Sequence, residues 1–503
     1  MSALPTAVRR GERSRSNSTI TLAIVLVGVF AVAMSIAGTG IALPRIGLDL
    51  NASGASLQWA ITAYNLALSA FTLVCGSLAD LFGRRRTFVA ATLLFTCGSL
   101  LTAAAQNILL LDAARALSGI GAGGVMACGG ALLAAAFEDT ARTRAFAAMG
   151  MAGGTGVVAG PFLAGWLVTQ LGWRPSFLVF VLVGAVILAG SVFAPESRAA
   201  ERPSVDRPGV ITFVAGLGSL MYGLIQLPLG GWGGPAGLAA GAALLVMFVA
   251  VERRRTHPVL DLAMIRNARF MGWTLGTLFT SVGFVGTLVY LPIYFQGVNG
   301  VSARDAGLTM LMMTAPIMAV PMFGGWLVNR GVPARGLMTL ALLLVAGGNA
   351  WLTVLAPGVG GLSLLGPLLT VGVGMGISFG ITDAQAMNHV EPTRVGMAAG
   401  FLNTVRNSGE ALVIAVFGTL LVALIQARVG SAELAGQIAA GDLSGPGQEL
   451  HARQFTESWH VVLWCVAGIC AAAAALVHTL IGRPPRRPAT TRAEEPSASN
   501  ATP

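Results

Sequence analysis

Ile20-Thr-Leu-Ala-Ile-Val-Leu-Val-Gly-Val-Phe30-Ala-Val-Ala-Met-Ser35-Ile-Ala-Gly-Thr-Gly40-Ile-Ala-Leu43 runs without a single charged side chain. A bilayer core of about 30 Å takes about 20 apolar residues as helix, so this run is long enough to cross. Arg9, Arg10, Arg13 and Arg15 precede it, which gives the start the look of a signal peptide. The run is too long for such a peptide's apolar region and no clear cleavage site follows, so it reads as a first membrane span.

Working outward, similar runs fill the chain. The approximate spans are 19–43, 56–78, 88–106, 110–134, 146–170, 175–194, 209–228, 235–252, 271–295, 305–327, 336–356, 362–386, 397–425 and 459–481, fourteen in all. Composition agrees: 55% of the 503 residues are hydrophobic and 10% charged, where a soluble protein carries about a quarter charged residues. Backbone polar groups in lipid must be satisfied within the segment, so the spans are expected as helices. Barrel strands would alternate over about ten residues, and these runs do not. An all-α integral membrane protein follows.

The net charge of +10 comes entirely from arginine, with no lysine. It is not gathered on one folded face, which argues against nucleic-acid binding. Cys75, Cys97, Cys128, Cys465 and Cys470 lie inside apolar runs and show neither disulfide nor metal spacing. No metal is expected. Nothing resembles a phosphate-cradling P-loop, so ATP hydrolysis is not expected and the chain reads as no enzyme.

Arginines gather in alternate loops. One set holds Arg9 to Arg15, Arg84–Arg86, Arg142, Arg144, Arg198, Arg202, Arg207, Arg253–Arg255, Arg266, Arg269, Arg330, Arg335, Arg394 and the arginines after 483; the intervening loops hold only Arg45, Arg174, Arg304, Arg428 and Arg453. Basic loops stay cytoplasmic, so both termini are expected there. The tails 1–18 and 483–503 are polar and expected to be disordered. The one sizeable outer segment, 426–458, is expected to hold part of an amphipathic helix.

Two loop approaches repeat. Gly76-Ser-Leu78-Ala-Asp80-Leu-Phe-Gly83-Arg84-Arg85-Arg86 is echoed by Gly325-Trp-Leu327-Val-Asn329-Arg330-Gly331, an internal repetition common in transporters. The first stretch resembles the loop signature of the major facilitator superfamily. The resemblance implies that Asp80, with Gly76, Gly83, Arg84 and Arg85, helps hold one gating state through charge-assisted bonds. Arg115-Ala-Leu-Ser118-Gly119-Ile-Gly121-Ala-Gly123 resembles the family's span-4 pattern. Gly156-Val-Val-Ala-Gly160-Pro161-Phe-Leu-Ala164-Gly165 resembles its antiporter signature, with Ala164 in place of a glycine. Small residues four apart let helices approach closely, and Pro161 is expected to kink its helix.

Further stretches resemble the fourteen-helix drug:proton antiporter branch. They include Trp59 and Tyr64, Trp173-Arg174, Glu252 through Asp261-Leu262, Leu291 through Gln296, and Gly396 through Arg406. Membership implies the major facilitator fold with this layout: a cytoplasmic tail 1–18, a six-helix bundle 19–200, two extra spans and linker 201–265, a second six-helix bundle 266–482 and a tail 483–503. It implies proton-driven efflux of amphipathic, cationic or neutral drug-like compounds across a bacterial plasma membrane by alternating access. The proton gradient is the energy source, no cofactor is involved, and the protein is expected to act as a monomer with small molecules, protons and lipid as partners. Rival expectations are export of one endogenous metabolite or antibiotic, uncoupled passage, or a non-transporting receptor or scaffold on the same fold.

The chain departs from the branch in span 1, where the pattern's Asp and Asn are Ser35 and Gly40. Acids elsewhere become candidates for proton coupling. Glu410 sits mid-span with Arg406 one turn before it, a spacing that permits a pair. Asp383 lies toward the inner end of span 12. Arg115 is a charge inside a span, a functional candidate by default, with Asp112 one turn away. A carboxyl whose surroundings change between two conformations can take and release a proton. One charge moved through 100 mV gains about 2.3 kcal/mol, enough to sustain a gradient of a neutral or monocationic substrate. Ser35, Tyr64, Tyr294, Gln296 and Met313 are candidates to line the substrate cavity, and the methionines of span 10, from Met310 to Met322, suit a loosely shaped wall.

Overall fold

Apolar side chains of nearly uniform character leave the backbone no partner but itself, and the runs become helices. The computed structural model describes residues 4–197, 207–254, 262–390, 395–444 and 447–482. Its helices are α1 (Leu4–Leu50), α2 (Gly54–Phe82), α3 (Arg84–Ala104), α4 (Ile108–Ala136), α5 (Asp139–Leu171), α6 (Trp173–Ser191), α7 (Arg207–Gln226) and α8 (Gly233–Glu252), followed by α9 (Ala268–Val298), α10 (Ala303–Thr314), α11 (Pro316–Asn329), α12 (Ala334–Trp351), α13 (Leu365–Met387), α14 (Val395–Val429), α15 (Ala432–Ala439) and α16 (Gln448–Gly482). Fourteen of the described segments are long and apolar enough to cross a membrane, as expected.

Two boundaries differ from expectation, while the outer segment holds a helix where one is expected. The first helix starts at Leu4 and runs to Leu50, so part of the expected tail 1–18 is helical. Pro5 suits a first turn, where its missing N–H costs nothing, and an established helix extends at one bond per residue. Span 10 is two helices, because Pro316 has no N–H to bond back and the ladder is interrupted there. The outer segment forms the short helix α15, whose Ser431 hydroxyl accepts from the Leu434 N–H at 3.3 Å. The arginines Arg198, Arg202, Arg255 and Arg394, the stretch from His257 to Asp261 and the tail 483–503 lie outside the described residues.

The first half packs α2 and α3 on α4 and α1 on α5; the second packs α12 on α13 and α16, and α9 on α14 and α16. The extra pair α7–α8 forms a hairpin whose α7 touches both α2 and α14. Between the halves, α5 lies on α10, α2 on α14 and α1 on α9. In lipid no hydrophobic force drives helix against helix, so close approach through small residues does the packing. A Cβ on Gly121 would stand 2.2 Å from the Phe95 nitrogen, and one on Gly119 2.3 Å from the Tyr64 oxygen. The glycines of the span-4 pattern thus seat α4 against two neighbours at once.

The chain reverses across its ends at two kinds of loop. At one end, Gly83 joins α2 to α3 with φ of 111°, a left-handed conformation open to glycine. This end carries Arg84–Arg86, Arg142, Arg144, Arg253, Arg254, Arg330 and Arg335, and is here termed the Arg-rich end. His389 also lies there, held below the ordinary histidine range by burial and by the charge of Arg269. The opposite end holds Asp49, Arg174, Arg304 and α15.

Candidate transport site

Arg115 projects from α4 into the first half and is 2% exposed. Its Nε donates to the Ala60 carbonyl at 3.0 Å, its Nη1 to the Ser35 hydroxyl at 3.1 Å and its Nη2 to the Thr39 hydroxyl at 3.0 Å. The guanidinium lies over the Tyr64 ring, 4.0 Å from its centroid. Ser35 and Thr39 are one turn apart on α1, so both hydroxyls face α4. The structure thus brings together three expected residues, Ser35, Tyr64 and Arg115, and adds Thr39. An i, i+4 hydroxyl pair in an apolar span is a signal that sequence alone offered. Asp112, one turn away, has its Oδ1 buried without a hydrogen-bond partner among the described residues.

Span 1 also accounts for the altered motif positions. A Cβ on Gly40 would stand 2.4 Å from the Val289 oxygen, so glycine at this position lets α1 lie against the backbone of α9. Ala164 replaces a motif glycine, and Gly38 opposite makes the room: a Cβ there would be 2.7 Å from that of Ala164. Gly156 and Gly160 face α1, against Phe30 and Met34, whereas Pro161 and Gly165 face α10, against Gly307 and Ala303. The antiporter signature therefore serves two interfaces.

In the second half, Arg406 of α14 bonds to Asp383 of α13, and its guanidinium lies 5.4 Å from the Phe379 ring centroid. Glu410, which helical spacing offered as the partner, instead accepts from the Ser281 hydroxyl of α9 at 3.3 Å. The structure therefore gathers Asp383, Arg406 and Glu410 in one region but pairs them differently. Nearby, the Thr280 and Ser378 hydroxyls share a bond of 2.9 Å and Ser378 reaches Thr382 at 3.4 Å, continuing a polar seam toward Asp383. Ser281 and Thr280 were not singled out in the sequence; adjacent hydroxyls in a long span name no partner by themselves.

The other cavity candidates are dispersed. Tyr294 and Met313 are wholly buried; Tyr294 shares a 2.7 Å hydrogen bond with Thr456. Gln296 donates to the Ile41 oxygen at 3.1 Å, joining the two halves. Of the five, Ser35 and Tyr64 meet at Arg115, while Tyr294 and Gln296 bond elsewhere. In the gating loop, the Asp80 side chain lies outside the described residues. Gly76 has open space over its Cβ position, and Glu196 binds the loop, accepting from the Arg85 N–H at 3.3 Å and facing Arg86 at 3.7 Å. The Arg84 N–H donates to the Ser197 oxygen at 2.9 Å.

Comparison with known proteins gives a consistent result. Residues 25–414 match the family model of the Major Facilitator Superfamily. The chain is 32% identical over 402 residues to the probable actinorhodin transporter of Streptomyces coelicolor, covering 76% of this chain and 69% of that protein. It is 31% identical over 420 residues to the multidrug resistance protein Stp of Mycobacterium tuberculosis, covering 82% and 77%. It is 30% identical over 412 residues to the tetracenomycin C resistance and export protein of Streptomyces glaucescens, covering 80% and 76%. Among solved structures, the POT family transporter PepTSo aligns with a TM-score of 0.63 at 16% identity, covering 92% of this chain and 97% of that one. A bacterial homolog of the human lysosomal transporter Spinster, in an inward-facing conformation, aligns with the same TM-score at 17% identity and the same coverage. At such identities the structures speak for the fold alone. With the loop, span-4 and span-5 motifs in place, fourteen spans and a family match across most of its length, the chain belongs to the Major Facilitator Superfamily of membrane transporters.

Proposed function

We propose that this protein exports amphipathic, cationic or neutral drug-like compounds across the bacterial plasma membrane by alternating access, in exchange for protons. One observation carries the reading. Spans 5 and 10 are joined at the Arg-poor end, where Thr314 donates to the Val158 oxygen at 3.2 Å and the Arg304 N–H to Thr169 at 3.1 Å. Toward the Arg-rich end, α11 of span 10 still touches α5, and Met151 and Met322 of these spans are 66% and 79% exposed. The positive-inside rule makes the Arg-rich end cytoplasmic, with both termini on that side. An exporter loads from there. The names of the relatives, which speak of multidrug resistance and antibiotic export, support the same direction.

Coupling falls to Glu410, Asp383 and Arg406, since ionisable groups within spans mark ion pathways by default. A carboxyl that exchanges a hydroxyl partner for a guanidinium between two conformations changes its hold on a proton. The proton gradient is the sole energy source in this scheme, with no cofactor and a single chain as the working unit. A second reading, export of one antibiotic or metabolite, draws on the relatives named for actinorhodin and tetracenomycin C. Expression in a pump-deficient bacterium separates the two. Protection against several unrelated cationic dyes and drugs supports the first; protection against one compound supports the second; protection against none, with the protein inserted, contradicts both.

A further inference from the structure

We propose that the short helix α15 is a strap across the outer mouth of the transport path: a segment of the second half fastened on the first half's α1–α2 turn, which comes off that turn each time the path opens outward. The inference rests on the alternating-access reading and concerns a segment that belongs to none of the fourteen spans.

The sequence builds α15 as a defined helix and not a slack loop. Gly430 leads out of α14 with φ of 75°, Ser431 caps the new helix, and Glu433 stands in its first turn, where an acidic group meets the positive end of the helix dipole. At the other end the Gly441 N–H bonds to the Ile438 oxygen and the Asp442 N–H to the Gln437 oxygen, both at 3.0 Å. Gly441 has φ of 87°, and this glycine-terminated stop satisfies the helix's last carbonyls. Its 8 residues are too few to hold a helix alone, so the surface beneath α15 decides where it sits.

That surface comes from both halves. Ala435 and Ile438 are fully buried, and α15 touches α14 and α16, to which the chain ties it, and also α9 and α2. The contact with α2 is backbone on backbone: a Cβ on Gly436 would stand 2.7 Å from the Gly54 Cα. Gly54 opens α2 with φ of 59°, so neither side of this contact carries a side chain. Just beyond α15, a Cβ on Gly297 of α9 would stand 2.6 Å from the Gly441 Cα, and one on Gly441 3.6 Å from the Pro44 ring of α1.

The location gives the contact its consequence. Gly436, Ala439 and Ala440 close a hollow whose other walls include Gln58 of α2, Tyr290 of α9 and Gly418 of α14, where the two halves meet. Opening outward moves α1 and α2 away from α9 and α14. The chain binds α15 to the second half at both ends, so the Gly54–Gly436 contact does not survive that movement. Glycine on glycine is a close fit without interlocking side chains, and it parts without unpacking a core. A second hollow of 170 Å³, with Ser53 on the turn side and Gln437 on the strap side, already divides the two elements at their edge.

The test ties strap to turn. Ser53→Cys and Gln437→Cys, across that hollow, are joined by a short reducible bis-thiosulfonate in the full-length protein in cells, with the exposed Cys97 and Cys465 replaced by serine. Mass spectrometry gives the linked fraction. Linked protein should lose dye export several-fold and regain it on reduction, whereas Glu433→Cys linked to Gln437→Cys, within α15, should export as unlinked protein does. Normal export by protein linked from 53 to 437, failure of that pair to link, or equal loss from the link within α15 overturns the proposal. A second readout needs no substrate. Gly436→Leu, or Gly436→Ala where leucine prevents folding, should lift the strap from Gly54, and Gln58→Cys should then react several-fold faster with an impermeant thiol reagent added outside. An unchanged rate also overturns the proposal. Wild type that moves no dye refutes the proposed function, and the labelling rates still decide the strap.

Discussion

Arg115 donates from Nη1 to the hydroxyl of Ser35 at 3.1 Å. A charge buried in a span is thereby held by an uncharged neighbour, with Thr39 and the Ala60 carbonyl completing the set. Ser35→Ala leaves that nitrogen without its acceptor. A hydrogen bond to a charged group is worth about 1.5–3 kcal/mol, and the loss should appear as a lower unfolding temperature of the purified protein in detergent. A variant as stable as wild type contradicts the role given to this hydroxyl.

Asp383 and Arg406 separate stability from transport. The Asp383 side chain is 58% exposed and that of Arg406 11%, so solvent screens the pair and its stabilising effect is at most about 1 kcal/mol. Asp383→Asn should therefore unfold nearly as wild type does while losing most of its proton-driven transport. Arg406→Lys keeps the charge but not the planar fork of donors, and should also transport poorly. Full transport by Asp383→Asn removes this acid from the coupling scheme.

The joined ends of spans 5 and 10 tolerate no side chain. Gly165→Val and Gly307→Val each place atoms against a carbonyl oxygen of the opposite span. Overpacking of this kind costs about 1–3 kcal/mol and opposes closure at the Arg-poor end. Accessibility of Thr169→Cys to an impermeant thiol reagent added outside should rise in either background. No change in labelling counts against the seal.

Gly119→Ala tests how span 4 aims its arginine. The added methyl would meet the Tyr64 oxygen, pushing α4 from α2 and withdrawing Arg115 from the Tyr64 ring. Transport and thermal stability should fall together. Gly336→Ala, at a position with open space, should leave both as they are.

The helices were legible in the sequence because length and apolarity alone select the fourteen spans. Glycine motifs were legible for a related reason: Gly121, Gly156 and Gly165 each lie where a Cβ would press on a neighbouring backbone. Partner choice was not legible. Spacing on one helix allowed Arg406 to meet Glu410, yet Asp383 on α13 holds the guanidinium and Ser281 on α9 the carboxyl. Which of two nearby acids an arginine takes depends on how three helices cross, and no single helix records that. The expected cavity wall fared likewise. Met313 and Tyr294 are wholly buried, and Tyr294 bonds Thr456 of α16, a partner set by how the helices assemble.

The most direct measurement is uptake of a fluorescent cationic dye into inverted membrane vesicles, with a proton gradient and then with a protonophore. Glu410→Gln, Asp383→Asn and Asp80→Asn are run beside wild type. The account predicts that wild type accumulates dye against its gradient, that the protonophore abolishes accumulation, and that loss of a coupling carboxyl does the same while the protein stays folded. Dye moving only down its own gradient, untouched by the protonophore, would contradict proton-driven export.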